Sequence, residues 1–248
     1  MIITIAAQKG GVSKTTTAAA IAQAMISRGR SALVIDLDSQ GSASLIYGAS
    51  EDTNGAYDLI TGAHVPEDLI EHTPIGDIIP ASPRLDDLDI ELAKKPGRDS
   101  FLKAALSPIL EKYDYIVLDT APGYGTCLIQ ALTASDRVII PLLCDPQALQ
   151  GLYAVTDTIS EVRKYCNPQL EIAGVVLTQY QGRTILTRQY EQFIRETCAE
   201  MGIRFAETHI RRAIALQEAQ ALRESLYTYA PASNPALDYM ALIDELGL

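Results

Sequence analysis

The clearest chemical pattern in the sequence is formed by the glycines, lysines and threonines of the segment QKGGVSKTT, residues 8–16. The segment lies between an apolar run of strand length and a stretch of helical periodicity. A turn in that position aims several backbone N–H groups and a helix N-terminus at one point, which suits a phosphate group. Lys14 can then reach the β- and γ-phosphates of a nucleotide, the Thr15 hydroxyl suits Mg²⁺, and Thr16 can meet the α-phosphate. The predicted nucleotide-binding residues of this loop are Lys9, Gly10, Gly11, Val12, Ser13, Lys14, Thr15 and Thr16.

Two positions of the loop differ from the pattern GxxxxGK[ST], in which one glycine begins the loop and another precedes the lysine. Gln8 occupies the first of these positions and Ser13 the second. The second position often needs a left-handed backbone, which costs a residue other than glycine about 1–2 kcal/mol. Contacts with a bound phosphate can offset that cost. The alternative interpretation is a glycine-rich turn with a solvated lysine.

Three carboxylates stand at the ends of predicted strands. Asp36 and Asp38 are two residues apart, so they project from the same face of a strand. Asp119 ends the buried run 116–118 beside the expected phosphate site, where it suits an outer-sphere contact with Mg²⁺. Asp36 suits support of the Mg²⁺ shell or of the loop. The alternative for Asp38 and Asp119 is capping in the loops that follow.

These residues need a scaffold whose strands end at one edge. Apolar runs of strand length alternate with helical periodicity, which predicts an α/β fold with a mostly parallel sheet and crossover helices. The predicted strands are 2–6, 31–37, 75–80, 115–118, 137–142, 172–177 and a short one near 204–206. The predicted helices are 15–27, 101–110 with a kink at Pro108, 126–133, 149–165, 185–200, 213–223 and 234–246. The connection before residue 75 shows little periodicity, and residues 1–248 are predicted to form one domain.

The composition is globular: of 248 residues, 48% are apolar and 21% charged, which excludes disordered, collagen-like and small disulfide-rich classes. The net charge of −11 makes the chain a poor non-specific binder of polyanions unless a local patch supplies cations. Segment 179–223 is a candidate patch, because it holds seven arginines against five glutamates. The alternative is a solvated helix face on which arginines pair with Glu191, Glu196 and Glu200.

Cysteine spacing and hydropathy limit the other classes. The four cysteines are far apart and show no zinc-ligand spacing, which predicts reduced thiols. The N-terminus lacks the features of a signal peptide, and no run approaches the ~20 apolar residues of a membrane span. The predicted C-terminal helix is amphipathic but acidic, so anionic lipid would repel it. We therefore expect a soluble, cytoplasmic protein that does not bind membranes.

Five segments, in order, resemble the motifs of the ParA/Soj/MinD family of P-loop ATPases. They are KGGVSKTT at 9–16, VIDLDSQG at 34–41, YDYIVLDTAP at 113–122, GVVLT to GRT at 174–184, and LQEA at 216–219. The first resembles the deviant Walker A motif KGGxxK[ST], the second the DxDPQ segment and the third Walker B. Ser13, Ser39 and Ala121 depart from the usual residues of these motifs. The resemblance implies a P-loop NTPase fold, with a twisted, mostly parallel sheet and helices on both faces.

The resemblance also implies ATP and Mg²⁺ as cofactors and a role for each site residue. Lys9 would reach across a two-fold axis to the partner's nucleotide, so that ATP joins two subunits face to face. Lys14 would bind phosphates and Asp38 would position the attacking water, which makes these three the catalytic residues. Thr15, Asp38 and Asp119 would surround Mg²⁺. The family regions around the base correspond here to Thr178, Ile210 and Arg211.

As partners, the resemblance implies a second copy of the chain, a ParB-like adaptor that stimulates slow hydrolysis, and DNA bound non-specifically by the ATP dimer. Arg183 matches one DNA-binding position of ParA/Soj members. A later basic position is Ala215 here, and Arg211 or Arg212 can substitute for it. The implied function is a switch that partitions DNA or positions another large cargo, in the cytoplasm and on the nucleoid when DNA is bound.

Two other functions of the same fold stay open. Metal-cluster delivery or electron transfer would need a cysteine pair that ligates a cluster across the dimer axis, and Cys127 and Cys144 lack such a spacing. A regulatory ATPase without DNA affinity would suit the acidic balance of the chain.

Overall fold

The structure is a computed structural model that describes residues 1–50, 54–182 and 184–248. Its strands are β1 Ile2–Ile5, β2 Ala32–Leu37, β3 Glu71–Thr73, β4 Gly76–Ile79, β5 Tyr115–Thr120, β6 Arg137–Leu142 and β7 Glu171–Leu177. These described strands form one sheet with the order β3-β4-β2-β5-β1-β6-β7. Neighbours are parallel except β3 and β4, which are antiparallel. The predicted α/β class with a mostly parallel sheet is confirmed.

Helices cover both faces of the sheet. They are α1 Lys14–Ser27, α2 Ser42–Tyr47, α3 Ala56–Thr61, α4 Leu88–Glu91, α5 Phe101–Leu106, α6 Thr126–Ala134, α7 Ala148–Tyr165, α8 Ile185–Glu200, α9 Ile214–Leu222, α10 Leu226–Tyr229 and α11 Asn234–Leu246. Successive side chains of a strand point to opposite faces. Val34 accordingly packs with α1 and α11, whereas Leu33 and Ile35 pack with α3 and α5. Apolar residues on both sides of a strand are typical of a parallel sheet that is buried on both faces.

Helix α1 brings its N-terminus to the end of β1. Its alanines are almost fully buried against the sheet, which their small side chains allow. The Thr17 and Tyr239 hydroxyls are 3.0 Å apart and tie α1 to α11. The left-handed Gly29, with φ 77°, follows the helix end, as predicted.

The structure differs from the predicted elements in several places, including the short helices α4 and α10, for which no element is predicted. Residues 204–206 form no strand, because the pairing there is a single parallel bridge between Phe205 and Val175. The helix predicted to residue 110 is α-helical only to Leu106, and a 3-10 turn that contains Pro108 follows, since proline cannot donate a backbone hydrogen bond. The connection before β4, for which no element is predicted, contains α2, α3 and β3. None of the described helices is both long and apolar enough to cross a membrane.

Candidate functional site

The predicted phosphate-binding loop connects β1 to α1 at the sheet edge where the parallel strands end. Ser13 directly precedes α1 and has a left-handed backbone, with φ 65° and ψ 31°. Gly11 is also left-handed, with φ 75°. The prediction that position 13 needs this backbone is confirmed, so Ser13 carries strain that a glycine would not.

Two residues that follow β7 hold the loop from one side. The Thr178 hydroxyl donates to the carbonyl oxygen of Val12 at 3.0 Å. Gln179 donates from Nε2 to the carbonyl oxygen of Gly11 at 2.9 Å and to Oγ of Ser13 at 3.0 Å. Gln179 is not among the predicted site residues. Its sequence signal is only its position, as a polar residue directly after a strand at the edge where the site gathers.

Lys14 is the first residue of α1, and its side chain points into the loop. It is only 7% exposed, and its Nζ donates to the carbonyl oxygen of Lys9 at 3.3 Å. Burial lowers the pKa of Lys14, while the negative charges of Asp119 and Asp38 oppose that shift. The loop therefore encloses a cation near two carboxylates.

Asp36 and Asp119 face each other on the neighbouring strands β2 and β5, and both are fully buried. Asp36 accepts hydrogen bonds from the backbone N–H and the hydroxyl of Ser44, both at 2.8 Å, and from the N–H of Asp38 at 3.2 Å. Burial raises the pKa of Asp36, and the bonds from Ser44 oppose the shift. Of the two roles suggested for Asp36, the structure shows support of the loop after β2.

Asp119 has a different environment. Neither of its carboxylate oxygens accepts a hydrogen bond of good geometry from the described residues. Burial raises its pKa well above the usual range, and the charge of Asp36 adds to that shift. The nearby Thr15 hydroxyl and the Lys14 ammonium group act in the opposite direction. A buried carboxylate without a firm partner is costly, so its surroundings suit an additional cation.

The loop opens onto two adjoining cavities. The larger has a volume of about 720 Å³, which is in the range of small-molecule sites, and the smaller about 160 Å³. Among the predicted residues, the larger cavity is lined by Gly10, Gly11, Ser13, Lys14, Thr15, Thr16 and Asp38. The smaller is lined by Thr16, Ile210, Arg211 and Arg212, and Ser13, Thr16, Gln179 and Gln220 border both. Val12 and Thr178 are buried behind the loop and line neither cavity.

Asp38 lies at the start of the loop after β2, on the wall of the larger cavity. Its Oδ1 accepts a hydrogen bond from the N–H of Gln40 at 3.0 Å, which fixes the orientation of the carboxylate. Oδ1 of Asp38 therefore caps the loop, as the alternative prediction has it, while the side chain also borders the larger cavity.

Lys9 lies outside the walls of both cavities. Its Nζ donates to Oδ2 of Asp145 at 2.6 Å, and the two side chains are 38% and 26% exposed. Asp145 follows β6 and is not among the predicted site residues. The structure thus separates the two lysines of the loop, with Lys14 turned inward and Lys9 paired on the outer side.

The three predicted DNA-contacting arginines differ in their surroundings. Arg183 lies outside the described residues. Arg211 donates from Nε and its terminal nitrogen to the carboxylate of Asp238, at 2.9 and 2.5 Å, and this pairing raises its pKa. Arg212 is exposed. On α8, Arg195 pairs with Glu191, as the alternative of a solvated, paired helix face predicts, and also with Glu207, which that alternative does not include. Glu196 accepts a hydrogen bond from Gln192.

The donors at the strand ends fit Mg²⁺. Across the described ranges, no group of three or more His, Cys, Asp or Glu side chains could hold a metal ion by itself. Mg²⁺ does not need such a group, because it usually binds one or two carboxylates and completes its shell with phosphates and water. The unpartnered carboxylate of Asp119, together with Asp38 and the Thr15 hydroxyl, supplies the hard oxygen donors that this ion prefers.

The four cysteines are free. Burial raises the pKa of Cys127 to about 12 and those of Cys144 and Cys198 to about 11. Burial therefore disfavours the thiolate, which is the form that binds a metal or cluster.

The order of β1, loop and α1, with the carboxyl ends of the strands beside it, is that of P-loop proteins. Comparison with known proteins narrows this class. A family model described as an AAA domain matches residues 1–172. The chromosome partitioning protein ParA of Myxococcus xanthus is 33% identical, with 99% of this chain and 87% of that protein covered. The chromosome-partitioning ATPase Soj of Thermus thermophilus is 35% identical, with 98% and 94% covered. The chain belongs to the ParA/Soj family of P-loop ATPases.

Solved structures share the whole fold. Cobyrinic acid a,c-diamide synthase from Mycobacterium smegmatis, solved with a bound ATP analog and magnesium, is 28% identical and superposes with a TM-score of 0.84. The superposition covers 98% of this chain and 92% of that one. The similarity therefore extends beyond the loop to the C-terminal helices.

Proposed function

We propose that residues 1–248 form a single ATPase domain that binds Mg²⁺ and ATP, dimerises when ATP is bound and hydrolyses ATP slowly. The ATP dimer binds DNA non-specifically, in the partitioning of DNA or the positioning of another large cargo, and a ParB-like adaptor stimulates hydrolysis. The observation that carries the proposal is the larger cavity, whose wall joins the loop to Asp38 beside the buried Lys14 and Asp119. The relatives named as partitioning proteins support the same function.

The loop binds phosphate through charge supplied in three forms. Its backbone N–H groups and the N-terminus of α1 supply partial positive charge, and Lys14 supplies a full one. Burial lowers the pKa of Lys14, and a bound triphosphate would raise it again, because an adjacent anion favours the protonated amine. ATP binding and the charge of Lys14 therefore support each other.

Mg²⁺ is held in this proposal by the Thr15 hydroxyl and Asp38, with Asp119 in its outer shell. When bound, the ion neutralises charge on the phosphates and on the buried carboxylate. Asp36 takes no direct part, since both of its oxygens already accept hydrogen bonds from the loop after β2.

The base of ATP lies in the smaller cavity, next to Ile210 and Arg211. The pairing of Arg211 with Asp238 keeps this wall in place, because Asp238 also accepts a hydrogen bond from the backbone N–H of Arg211 at 2.9 Å. Thr178 acts indirectly, by holding the carbonyl group of Val12.

Asp38 positions the attacking water. We expect Asp38→Ala to bind ATP and to dimerise but to release no phosphate, because the Thr15 hydroxyl and the phosphates still hold Mg²⁺ while the acceptor for the attacking water is gone. Phosphate release and light scattering with ATP test this, with Asp157→Ala, an exposed position on α7, as the matched control. Hydrolysis by Asp38→Ala at the rate of the unchanged protein would remove Asp38 from the mechanism.

DNA binding distinguishes a partitioning ATPase from a regulatory ATPase of the same fold. We expect duplex DNA to bind with ATP and not with ADP or without nucleotide, and the affinity to fall steeply with salt. Exposed Arg212 is a DNA contact in this proposal, so Arg212→Ala should reduce the salt dependence by about one released ion for each subunit that contacts DNA. Arg211, held by Asp238, contributes less. Absence of binding in all three nucleotide states would favour the regulatory ATPase. The protein acts in the cytoplasm, on the nucleoid in its ATP form.

A further inference from the structure

At the larger cavity, residues other than glycine adopt a left-handed backbone. Within the described ranges, three residues other than glycine have a positive φ: Ser13 at 65°, Gln179 at 50° and Arg223 at 54°. All three line the larger cavity. Such a backbone is unfavourable for a residue with a side chain and persists only where surrounding contacts enforce it. For Ser13 and Gln179, one contact that enforces this backbone is the hydrogen bond between their side chains.

The residues after β7 occupy acceptors of three consecutive loop residues. Gln179 donates to the carbonyl oxygen of Gly11 and to Oγ of Ser13, and Thr178 donates to the carbonyl oxygen of Val12. In a trans peptide, the C=O and N–H groups point in opposite directions. Holding the carbonyl groups of Gly11 and Val12 therefore turns the N–H groups of Val12 and Ser13 away from the residues after β7. In the proposed function, these N–H groups donate to the phosphates of the bound nucleotide.

We propose that Gln179 is a positioning residue for nucleotide binding. Its carboxamide holds the loop in the phosphate-binding conformation at the position where serine stands in place of glycine. A glycine at position 13 would adopt φ 65° without help, whereas Ser13 is held there by the hydrogen bond to its hydroxyl. Without Gln179, the binding-competent loop is a smaller fraction of the population, and the apparent affinity for nucleotide falls by that fraction. This inference rests on the proposed function.

The test compares ATP and ADP binding by calorimetry for the full chain and for Gln179→Met, which keeps the length of the side chain but lacks the donor. We expect Kd for both nucleotides to rise about tenfold, the loss expected when about two hydrogen bonds to the loop are removed. KM for ATP should rise in parallel while kcat at saturating ATP stays within about twofold, because bound phosphate restores the loop. In the Ser13→Gly background, the same substitution should raise Kd about threefold or less.

The controls separate positioning from folding. Gln181→Met, two residues further along, should leave Kd unchanged, and Gln179→Glu, which replaces the donor nitrogen by oxygen, should weaken binding as Gln179→Met does. If Gln179 served only to stabilise the fold, Gln179→Met would lower the fraction of active protein. The apparent kcat would then fall while KM stayed unchanged. Equal Kd for Gln179→Met and the unchanged protein, or an equal effect of Gln179→Met with serine and with glycine at position 13, would overturn the inference. Absence of nucleotide binding by the unchanged protein would reject the proposed function itself.

Discussion

Two buried aspartates on neighbouring strands show how the environment decides the role of a residue. Asp36 and Asp119 are opposite each other in the sheet and equally inaccessible to water. Asp36 accepts hydrogen bonds from Ser44 and the backbone, and these oppose the rise in its pKa that burial causes. Asp119 has no hydrogen bond of good geometry within the described part of the chain, so only the nearby Lys14 and Thr15 offset the cost of its charge. The bonds of Asp36 thus hold the loop after β2, whereas Asp119 keeps oxygens that can interact with an added cation.

We expect Asp119→Asn to be more stable than the unchanged protein at pH 7 without Mg²⁺ or nucleotide. The pKa of Asp119 is higher in the folded chain than in the unfolded chain, so folding binds its proton more tightly, and the free energy of unfolding falls as pH rises above about 4. Asparagine removes that penalty, so the Tm of Asp119→Asn at pH 7 should be higher than that of the unchanged protein. The difference should vanish near pH 3, where Asp119 is protonated in both states.

Thermal melts between pH 3 and pH 8 measure this effect, and Asp36→Asn is the matched control. That substitution disturbs satisfied hydrogen bonds, so it should lower Tm at pH 7. Adding Mg²⁺ and ATP should stabilise the unchanged protein more than Asp119→Asn. A Tm for Asp119→Asn below that of the unchanged protein at pH 7 would show that the Asp119 charge is already balanced within the chain.

At the scale of elements, the long strands and helices could be predicted because each carries its own apolar pattern. Helix α2 could not, because six residues are too few for helical periodicity. It begins after the left-handed Gly41, and the carboxylate of Asp36, eight residues earlier than Ser44, accepts hydrogen bonds from Ser44 in its first turn. Strand β3 has three residues and depends on antiparallel pairing with the adjacent β4. Both elements are too short to carry a periodic pattern, so contacts with residues outside them define their positions.

The same distinction holds within the site. The loop from Lys9 to Thr16 could be predicted because its chemistry depends on the spacing of neighbouring residues. Gln179 and Asp145 could not, since they reach the loop from 166 and 136 positions away. The sequence could predict that Thr178 lies near the site, but not that its hydroxyl donates to the carbonyl oxygen of Val12.

The wall of the smaller cavity depends on α11. Asp238 on that helix accepts hydrogen bonds from the side chain and the backbone of Arg211, and it is itself nearly buried. We expect Asp238→Asn to lower the free energy of unfolding by about 1 kcal/mol, or roughly 2–4 °C in Tm, and to weaken ATP binding. Asp244, which also lies on α11, forms an exposed ion pair with Arg28. Asp244→Asn should change the free energy of unfolding by less than about 0.5 kcal/mol. Equal Tm values for the two variants would show that the Asp238 pair contributes no more than a surface ion pair.

At the scale of the whole molecule, the site residues lie at one edge of the sheet, where the strands β1, β2, β5, β6 and β7 end. The loop, Asp38, Asp119, Asp145 and Gln179 follow or end these strands. In the proposed function, a second copy of the chain meets the bound nucleotide at this edge. Lys9 lies there, but its ammonium group is bound within its own chain by Asp145. Dimerisation through Lys9 therefore requires that this ion pair open.

Opening the Lys9–Asp145 ion pair should favour the dimer. Asp145→Asn keeps the acceptor for the N–H of Gln147 and removes the charge that holds Lys9. ATP-dependent dimers should therefore form at a protein concentration about two- to fivefold lower, which corresponds to the free energy of a partly exposed ion pair. Lys9→Ala should bind ATP as a monomer, because the substitution removes the amine that is proposed to reach the partner's phosphates. Light scattering over a protein dilution series with ATP or ADP measures both, and Asp157→Asn, exposed on α7, is the matched control for lost negative charge. The contrary result would be ATP-dependent dimers of Lys9→Ala at the same protein concentration as the unchanged protein. That result would show that the dimer contact does not involve Lys9, and Asp145→Asn would then have no effect on assembly.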